Sequence, residues 1–216
     1  GELESSVHII GSPDLDLMNP TSLPNLSEVK EYYDIDFDDY AIAMFHPVTT
    51  EHGSIQKQSK IFVDALLKSN KNYIVIYPNN DLGTEEILKQ YKRLENNPKF
   101  KIFPSLRFEF FLKLLKESNF IIGNSSAGVR EAPYYHVPTI DIGTRQNNRV
   151  QLETIVHCSY EYDEILASIH NTENSEIREE VGQHSFGEGK SDKLFIDLLG
   201  SEELWGISHQ KQFQEI

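Results

Sequence analysis

Four short polar segments, each directly after an apolar run, hold the residues most able to do chemistry. His46-Pro47-Val48-Thr49-Thr50 follows AIAMF, and Pro78-Asn79-Asn80-Asp81 follows NYIVIY. Asn124-Ser125-Ser126-Ala127-Gly128 follows FIIG, and Thr144-Arg145-Gln146 follows VPTIDIG. The third is the most informative. Small hydroxyl residues and glycine, placed where a strand turns into a helix, expose backbone N–H groups that suit phosphate oxygens, with the helix dipole behind them. Ser125 and Ser126 add hydroxyl donors. Glu131, roughly two turns into the expected helix, offers a carboxylate for a ribose diol. Serine at a helix start is also an ordinary N-cap, and the loop alone does not separate the two readings. Arg145 presents a planar fork that fits a diphosphate or a surface ion pair. His46, held extended by Pro47, is a general acid, a donor to a leaving group or a hydrogen-bonded structural histidine. Phe111 belongs to an aromatic helix stripe that is mostly core, from which one ring at the sheet edge can stack on a base. Glu51 and His52 match no standard zinc spacing.

These segments are positioned by an alternation of short apolar runs and longer amphipathic stretches. Strands are predicted at Ala41 to Phe45, Asn72 to Tyr77, Phe100 to Phe103, Phe120 to Ile122 and Val137 to Ile142, with Thr154 to Cys158 a candidate sixth. Val7 to Ile10 is a further short run ending at Gly11. Helices are predicted near Leu26 to Tyr33, at Ser54 to Ser69, at Thr84 to Leu94 with Thr84 as N-cap, and at Phe108 to Ser118. Others are predicted at Ala127 to Tyr135, Tyr162 to His170 and Lys190 to Leu199. Asn171 to Glu180 reads as a surface linker. Repeated strand–helix units predict an α/β fold with a parallel sheet covered on both faces, and the nearly continuous apolar strands agree. Ligands then bind beyond the carboxyl ends of the strands, where all four polar segments fall. The expected organisation is a connecting segment over 1–40 with a first strand and a short helix, a Rossmann-like domain over 41–200, and a helical tail over 201–216.

Composition limits the function classes. The 216 residues include 20 Lys and Arg against 34 Asp and Glu, a net charge of −14. So acidic a surface argues against general nucleic-acid binding and against docking on anionic lipid, although a local cationic pocket is compatible with it. Cys158 is the only cysteine, which excludes an intrachain disulfide and a cysteine-based zinc site. No apolar run approaches the roughly 18 residues of a transmembrane helix. The chain begins GELESS, with neither the charged nor the apolar region of a signal peptide and no initiator Met, so a processed chain or a fragment is expected.

The block GNSSAGVREAPYYHVPTIDIGTRQNNR, Gly123 to Arg149, resembles the hydrolysing UDP-N-acetylglucosamine 2-epimerases of sialic acid biosynthesis. HPVTT from His46, YPNND from Tyr77 and GEGKS from Gly187 fall in the same order and at similar spacing. The resemblance runs from Val7 to the final helix. It implies the carboxyl-terminal half of a GT-B-like fold, with two Rossmann-like domains around a cleft and the amino-terminal one, with its acidic and basic residues, lying outside this sequence. It further implies that His46 faces the diphosphate and sugar and assists the chemistry, and that Phe111 packs on the uracil. Ser125 and Ser126 would bind phosphate, Glu131 the ribose hydroxyls and Arg145 the nucleotide or diphosphate. Gly189, in the Gly187-Glu188-Gly189 turn, would help close the phosphate site. The implied reaction is anti elimination of UDP followed by hydration to N-acetylmannosamine, without metal or nicotinamide. A UDP-sugar substrate, the other domain, a homo-oligomer and a cytoplasmic location are implied with it. The alternatives are the donor domain of a GT-B glycosyltransferase and a non-catalytic sugar-nucleotide-binding module.

Overall fold

The runs AIAM, YIVI, FKIF, IIG, TIDI and IVHC become strands β1 (Ala41–Met44), β2 (Tyr73–Ile76), β3 (Phe100–Phe103), β4 (Ile121–Gly123), β5 (Thr139–Ile142) and β6 (Ile155–Cys158). They form one six-stranded sheet in the order β3-β2-β1-β4-β5-β6, with every neighbouring pair parallel. This is the doubly wound order of a Rossmann-like fold. The computed structural model describes residues 3–150, 152–173 and 187–207. Its helices are α1 (Asp14–Leu17), α2 (Leu26–Tyr32), α3 (Ile55–Ser69), α4 (Thr84–Tyr91), α5 (Phe108–Lys116), α6 (Glu131–Tyr134), α7 (Tyr162–Glu173), α8 (Ser191–Leu199) and α9 (Glu202–Trp205). Among the described residues, no helix is long and apolar enough to cross a membrane.

Alternation along the strands fills both faces. Ala41, Ala43 and Phe45 join Tyr73, Val75, Ile140 and Ile142 in a core shared with Phe62 and Leu66 of α3, Ile87 and Tyr91 of α4, and Ile165 and Ile169 of α7. The intervening Ile42, Ile74 and Ile121 point to the opposite face and are equally buried. Each large side chain so buried contributes about 1.5–3 kcal/mol. Helix α3 shows its sequence logic: Ile55, Phe62, Val63 and Leu66 recur at helical spacing on the buried side, and Asn70 ends the helix in the left-handed conformation. Cys158 sits in the same core at 5% exposure. Burial first, and the Glu164 carboxylate second, push its thiol up to about 12. A thiol-reactive dye at about pH 8 is expected to leave the folded protein unlabelled and to label the chain fully in guanidinium. Rapid labelling of the folded protein would contradict this packing.

The chain divides into two compact units, Leu23–Val181 and a smaller one built from Gly1–Ser22 and Gly182–Ile216. These bounds fall at other positions than the expected 40 and 200. In the smaller unit the Asp16 carboxylate accepts from the Ser191 N–H at 3.0 Å, the Ser191 hydroxyl at 2.6 Å and the Asp192 N–H at 2.9 Å. Helix α8 therefore belongs with α1, not with the sheet. The expected first strand at Val7 to Ile10 has no regular structure: Val7 and Ile9 are 57% and 92% exposed and no strand pairs with them. Residues 174–180 of the expected linker lie outside the described residues, and 171–173 extend α7. The tail contributes α9, and its residues after 207 also lie outside the description. Gly83 with φ +101° takes the N-cap position of α4, and Thr84 becomes its first residue.

Candidate functional site

After β1 the chain turns towards β2, and after β4 it turns towards β5. The loops beyond these adjacent strands therefore diverge and open a crevice at the switch point of the sheet. They are the His46 loop and the Asn124-Ser125-Ser126 loop. Close approach is possible because residue 123 is glycine: its φ is +136°, and a Cβ there would lie 1.9 Å from the Met44 carbonyl oxygen.

Asn124, fully buried, fastens the two loops together. Its Oδ1 accepts from the His46 N–H at 2.6 Å, and its Nδ2 donates to the His46 carbonyl at 2.8 Å. The side chain thus acts as one more rung beyond the end of the β1–β4 ladder. Its own carbonyl accepts from Arg145 Nη1 at 3.0 Å and from Gln146 Nε2 at 2.7 Å, which brings in the loop after β5. Glu51 makes a second tie, accepting from Gln58 Nε2 at 2.7 Å and from the Thr144 hydroxyl. Sequence reasoning passed over Asn124, Glu51 and Gln146 as site residues. The only signal for Asn124 was a lone amide directly after the strand-end glycine.

Beside this junction lies a cavity of about 410 Å³. His46, Phe111, Ser125, Ser126 and Glu131 all line it, so five of the seven expected residues meet in one place. One part of the wall is apolar, with Ile76, Pro104, Leu106, Phe108 and Phe111; the other is polar, with His46, Asn79, Ser125, Ser126 and Glu131. Such a division suits a ligand with a flat apolar end and an anionic middle. The apolar wall is braced from outside. The Arg107 N–H donates to the Tyr33 hydroxyl at 2.9 Å, and the Arg107 guanidinium stacks 4.7 Å from the Tyr32 ring and 5.6 Å from the Phe110 ring.

Two local expectations need correction. The helix predicted over Ala127 to Tyr135 is a 3₁₀ turn at Ser126–Gly128 followed by the four-residue α6. Arg130, at φ −113° and ψ −60°, separates them, and Pro133 lacks the N–H a longer helix would use. Glu131 is therefore the first residue of α6 and not two turns into a helix, and no long helix dipole stands behind the serines. Ser125 does act as an N-cap, its hydroxyl accepting from the Ala127 N–H at 3.3 Å. Ser125 also lines the cavity, so its capping role does not remove it from the site.

Arg145 is half-buried and held to Asn124. Burial, with Arg149 second, pushes its guanidinium below the ordinary value. Gly189 lies in the smaller unit with φ +69°, where a Cβ would meet the Leu15 carbonyl at 3.0 Å. That contact gives the Gly187-Glu188-Gly189 turn a packing role within its own unit. Asn79, whose role the sequence left open, donates its backbone N–H to His46 Nδ1 at 3.1 Å. Burial, and after it the Arg145 guanidinium, push the His46 imidazole down to about 4; the Asn79 side chain and the Asp81 carboxylate pull the other way. Among the described residues, no three His, Cys, Asp or Glu side chains cluster so as to hold a metal ion.

The chain has known relatives. A family model described as UDP-N-acetylglucosamine 2-epimerase matches residues 1–200. A UDP-N-acetylglucosamine 2-epimerase of Neisseria meningitidis is 45% identical across 100% of this chain and 57% of its own length. A UDP-N,N'-diacetylbacillosamine 2-epimerase (hydrolyzing) of Legionella pneumophila is 27% identical across 92% of this chain and 52% of its own. The crystal structure of Methanocaldococcus jannaschii UDP-GlcNAc 2-epimerase in complex with UDP-GlcNAc and UDP superposes with a TM-score of 0.72 at 20% identity, covering 92% of this chain and 56% of that one. At that identity the likeness concerns the fold. The chain spans about half the length of the relatives it matches. With the family model covering most of its residues and a relative at 45% identity along all of it, the chain belongs to the UDP-N-acetylglucosamine 2-epimerase family.

Proposed function

We propose that this chain is the UDP-gripping, carboxyl-terminal half of a hydrolysing UDP-N-acetylglucosamine 2-epimerase of sialic acid biosynthesis in the cytoplasm. The observation that carries the reading is the single cavity at the switch point, with an apolar wall and a polar wall formed by loops from separate strands. Phe111 packs against the uracil, and Glu131 accepts hydrogen bonds from the ribose hydroxyls. Ser125 and Ser126 donate to the phosphates. His46 faces the diphosphate, and Arg145 adds positive charge nearby. UDP leaves by anti elimination across C1 and C2 of the sugar. Water then adds to the resulting 2-acetamidoglucal to give N-acetylmannosamine. The other half of the protein supplies the groups that move the C2 proton, so this chain alone turns over little. The whole enzyme is a homo-oligomer.

Calorimetric titration of this chain with UDP tests the grip. Saturable binding is expected, and Glu131→Ala should weaken it at least about tenfold, because hydrogen bonds to a charged group contribute about 1.5–3 kcal/mol. A cooperatively folded sample that ignores millimolar UDP, or a Glu131→Ala variant that binds normally, would sink the assignment. For the full-length protein, proton NMR should show UDP-GlcNAc giving N-acetylmannosamine and UDP.

A further inference from the structure

The hydrogen bonding around His46 says more than that a histidine faces the cavity. A neutral imidazole has one nitrogen that donates and one that accepts, and the partner of either nitrogen decides which is which. Here the partner of Nδ1 is a backbone N–H, that of Asn79, which can only donate. Nδ1 must therefore accept, and the ring proton must sit on Nε2. The backbone that carries the ring is clamped on both its N–H and its carbonyl by Asn124. We propose that His46 is locked as the neutral Nε2–H tautomer and serves the diphosphate as a fixed hydrogen-bond donor, carrying no proton to or from the reaction near neutral pH.

Three further observations agree. An accepting Nδ1 facing a backbone N–H opposes protonation there, because the imidazolium would set two N–H groups head to head. The charged neighbours are Arg145, which opposes protonation, and Asp81, which favours it; with burial the balance puts the ring near 4. A rise of about two pH units on meeting a diphosphate would still leave the ring mainly neutral above pH 7. The lock also uses a backbone atom of the YPNND segment, the Asn79 nitrogen, which ties that segment to the cavity that Asn79 lines. The Asn79 amide itself donates to Asp81 at 2.5 Å. Preorganised neutral donors of this kind stabilise a departing anion without any charge of their own having to be desolvated.

The inference rests on the diphosphate reading of the cavity, but its test separates the two. The chain, labelled with 15N, would be followed by long-range proton–nitrogen correlation of the histidine rings, with the His46 signals assigned through His46→Gln. The expected result is a protonated Nε2 and an unprotonated Nδ1, unchanged from about pH 8 to about pH 5.5. Asn79→Ala should keep this pattern, since the donor is the backbone. Asn79→Pro, which removes the N–H, should give mixed tautomers. Averaged tautomers in the unaltered chain, a protonated Nδ1, or titration near 6.5 would overturn the lock whether or not UDP binds. Conversely, a locked ring in a chain that ignores UDP would retain the tautomer and defeat the diphosphate reading. With UDP bound, the Nε2 proton should shift downfield; no shift under saturation would refute the donor role.

Discussion

Gly123→Ala is expected to be the most damaging single methyl group in this protein. The added Cβ would stand 1.9 Å from the Met44 carbonyl oxygen and 2.6 Å from its carbon, and both are backbone atoms of the adjacent central strand. No rotamer change relieves a clash with backbone, so β1 and β4 must move apart. The position also has φ +136°, which L side chains seldom adopt. Loss of about 3–5 kcal/mol is expected, lowering the melting midpoint by about 6–20 °C and abolishing UDP binding. Gly53→Ala is the matched control. Nothing lies within 4 Å of a Cβ there, so its stability should stay within about 0.5 kcal/mol of the parent. Differential scanning calorimetry of the three proteins decides the matter. A Gly123→Ala protein that melts with the parent would mean the β1–β4 ends are not as close as described.

The next largest effect is expected at Asn124. Truncation to alanine strands the part-buried N–H and carbonyl of His46, and each unsatisfied group costs up to about 1–3 kcal/mol. A loss of about 2–4 kcal/mol in stability and at least about tenfold in UDP affinity should follow. Asn124→Asp discriminates further. It keeps an acceptor for the His46 N–H but sets a carboxylate oxygen against the His46 carbonyl, and it buries a charge. It should therefore be no better than alanine, despite its near-identical shape. Chemical denaturation and calorimetry would check both variants. Aspartate behaving like the parent would show that shape, not the paired donor and acceptor, is what the junction requires.

Much of the scaffold was legible because it depends on local composition. Runs such as YIVI and IIG have no polar interruption, as strands covered on both faces must; five of the six strands lie inside the predicted ranges, and β4 runs one residue past its own, to Gly123. Where local composition misled, a longer-range condition was missing. Val7 to Ile10 has the apolar content of a strand but no partner strand to accept its backbone. Ala127 to Tyr135 has helix formers, but Gly128 and Pro133 fragment it. His46, Ser125 and Ser126 were found because they lie just beyond the carboxyl ends of parallel strands, a topological rule that needs no coordinates, while Phe111 and Glu131 lie on the helices that follow such strands. The junction beneath them was not found. Asn124 meets His46 across 78 positions, and Asn79 contributes a backbone N–H that any residue except proline supplies. Neither contact leaves a mark in residue type or spacing.

The capping of α8 by Asp16 also bears on the order in which the molecule assembles. The two partners are 175 positions apart, so the smaller unit cannot form until residues 191 and 192 have left the ribosome. All six strands lie in the stretch between them and can pair while the first segment is still without its partner. Closing so long a loop costs about 4–5 kcal/mol in an unstructured chain. Folding of the sheet first is therefore the economical route, with α1 and α8 joining last. Until then the exposed Val7 and Ile9 stay beside an unfinished unit.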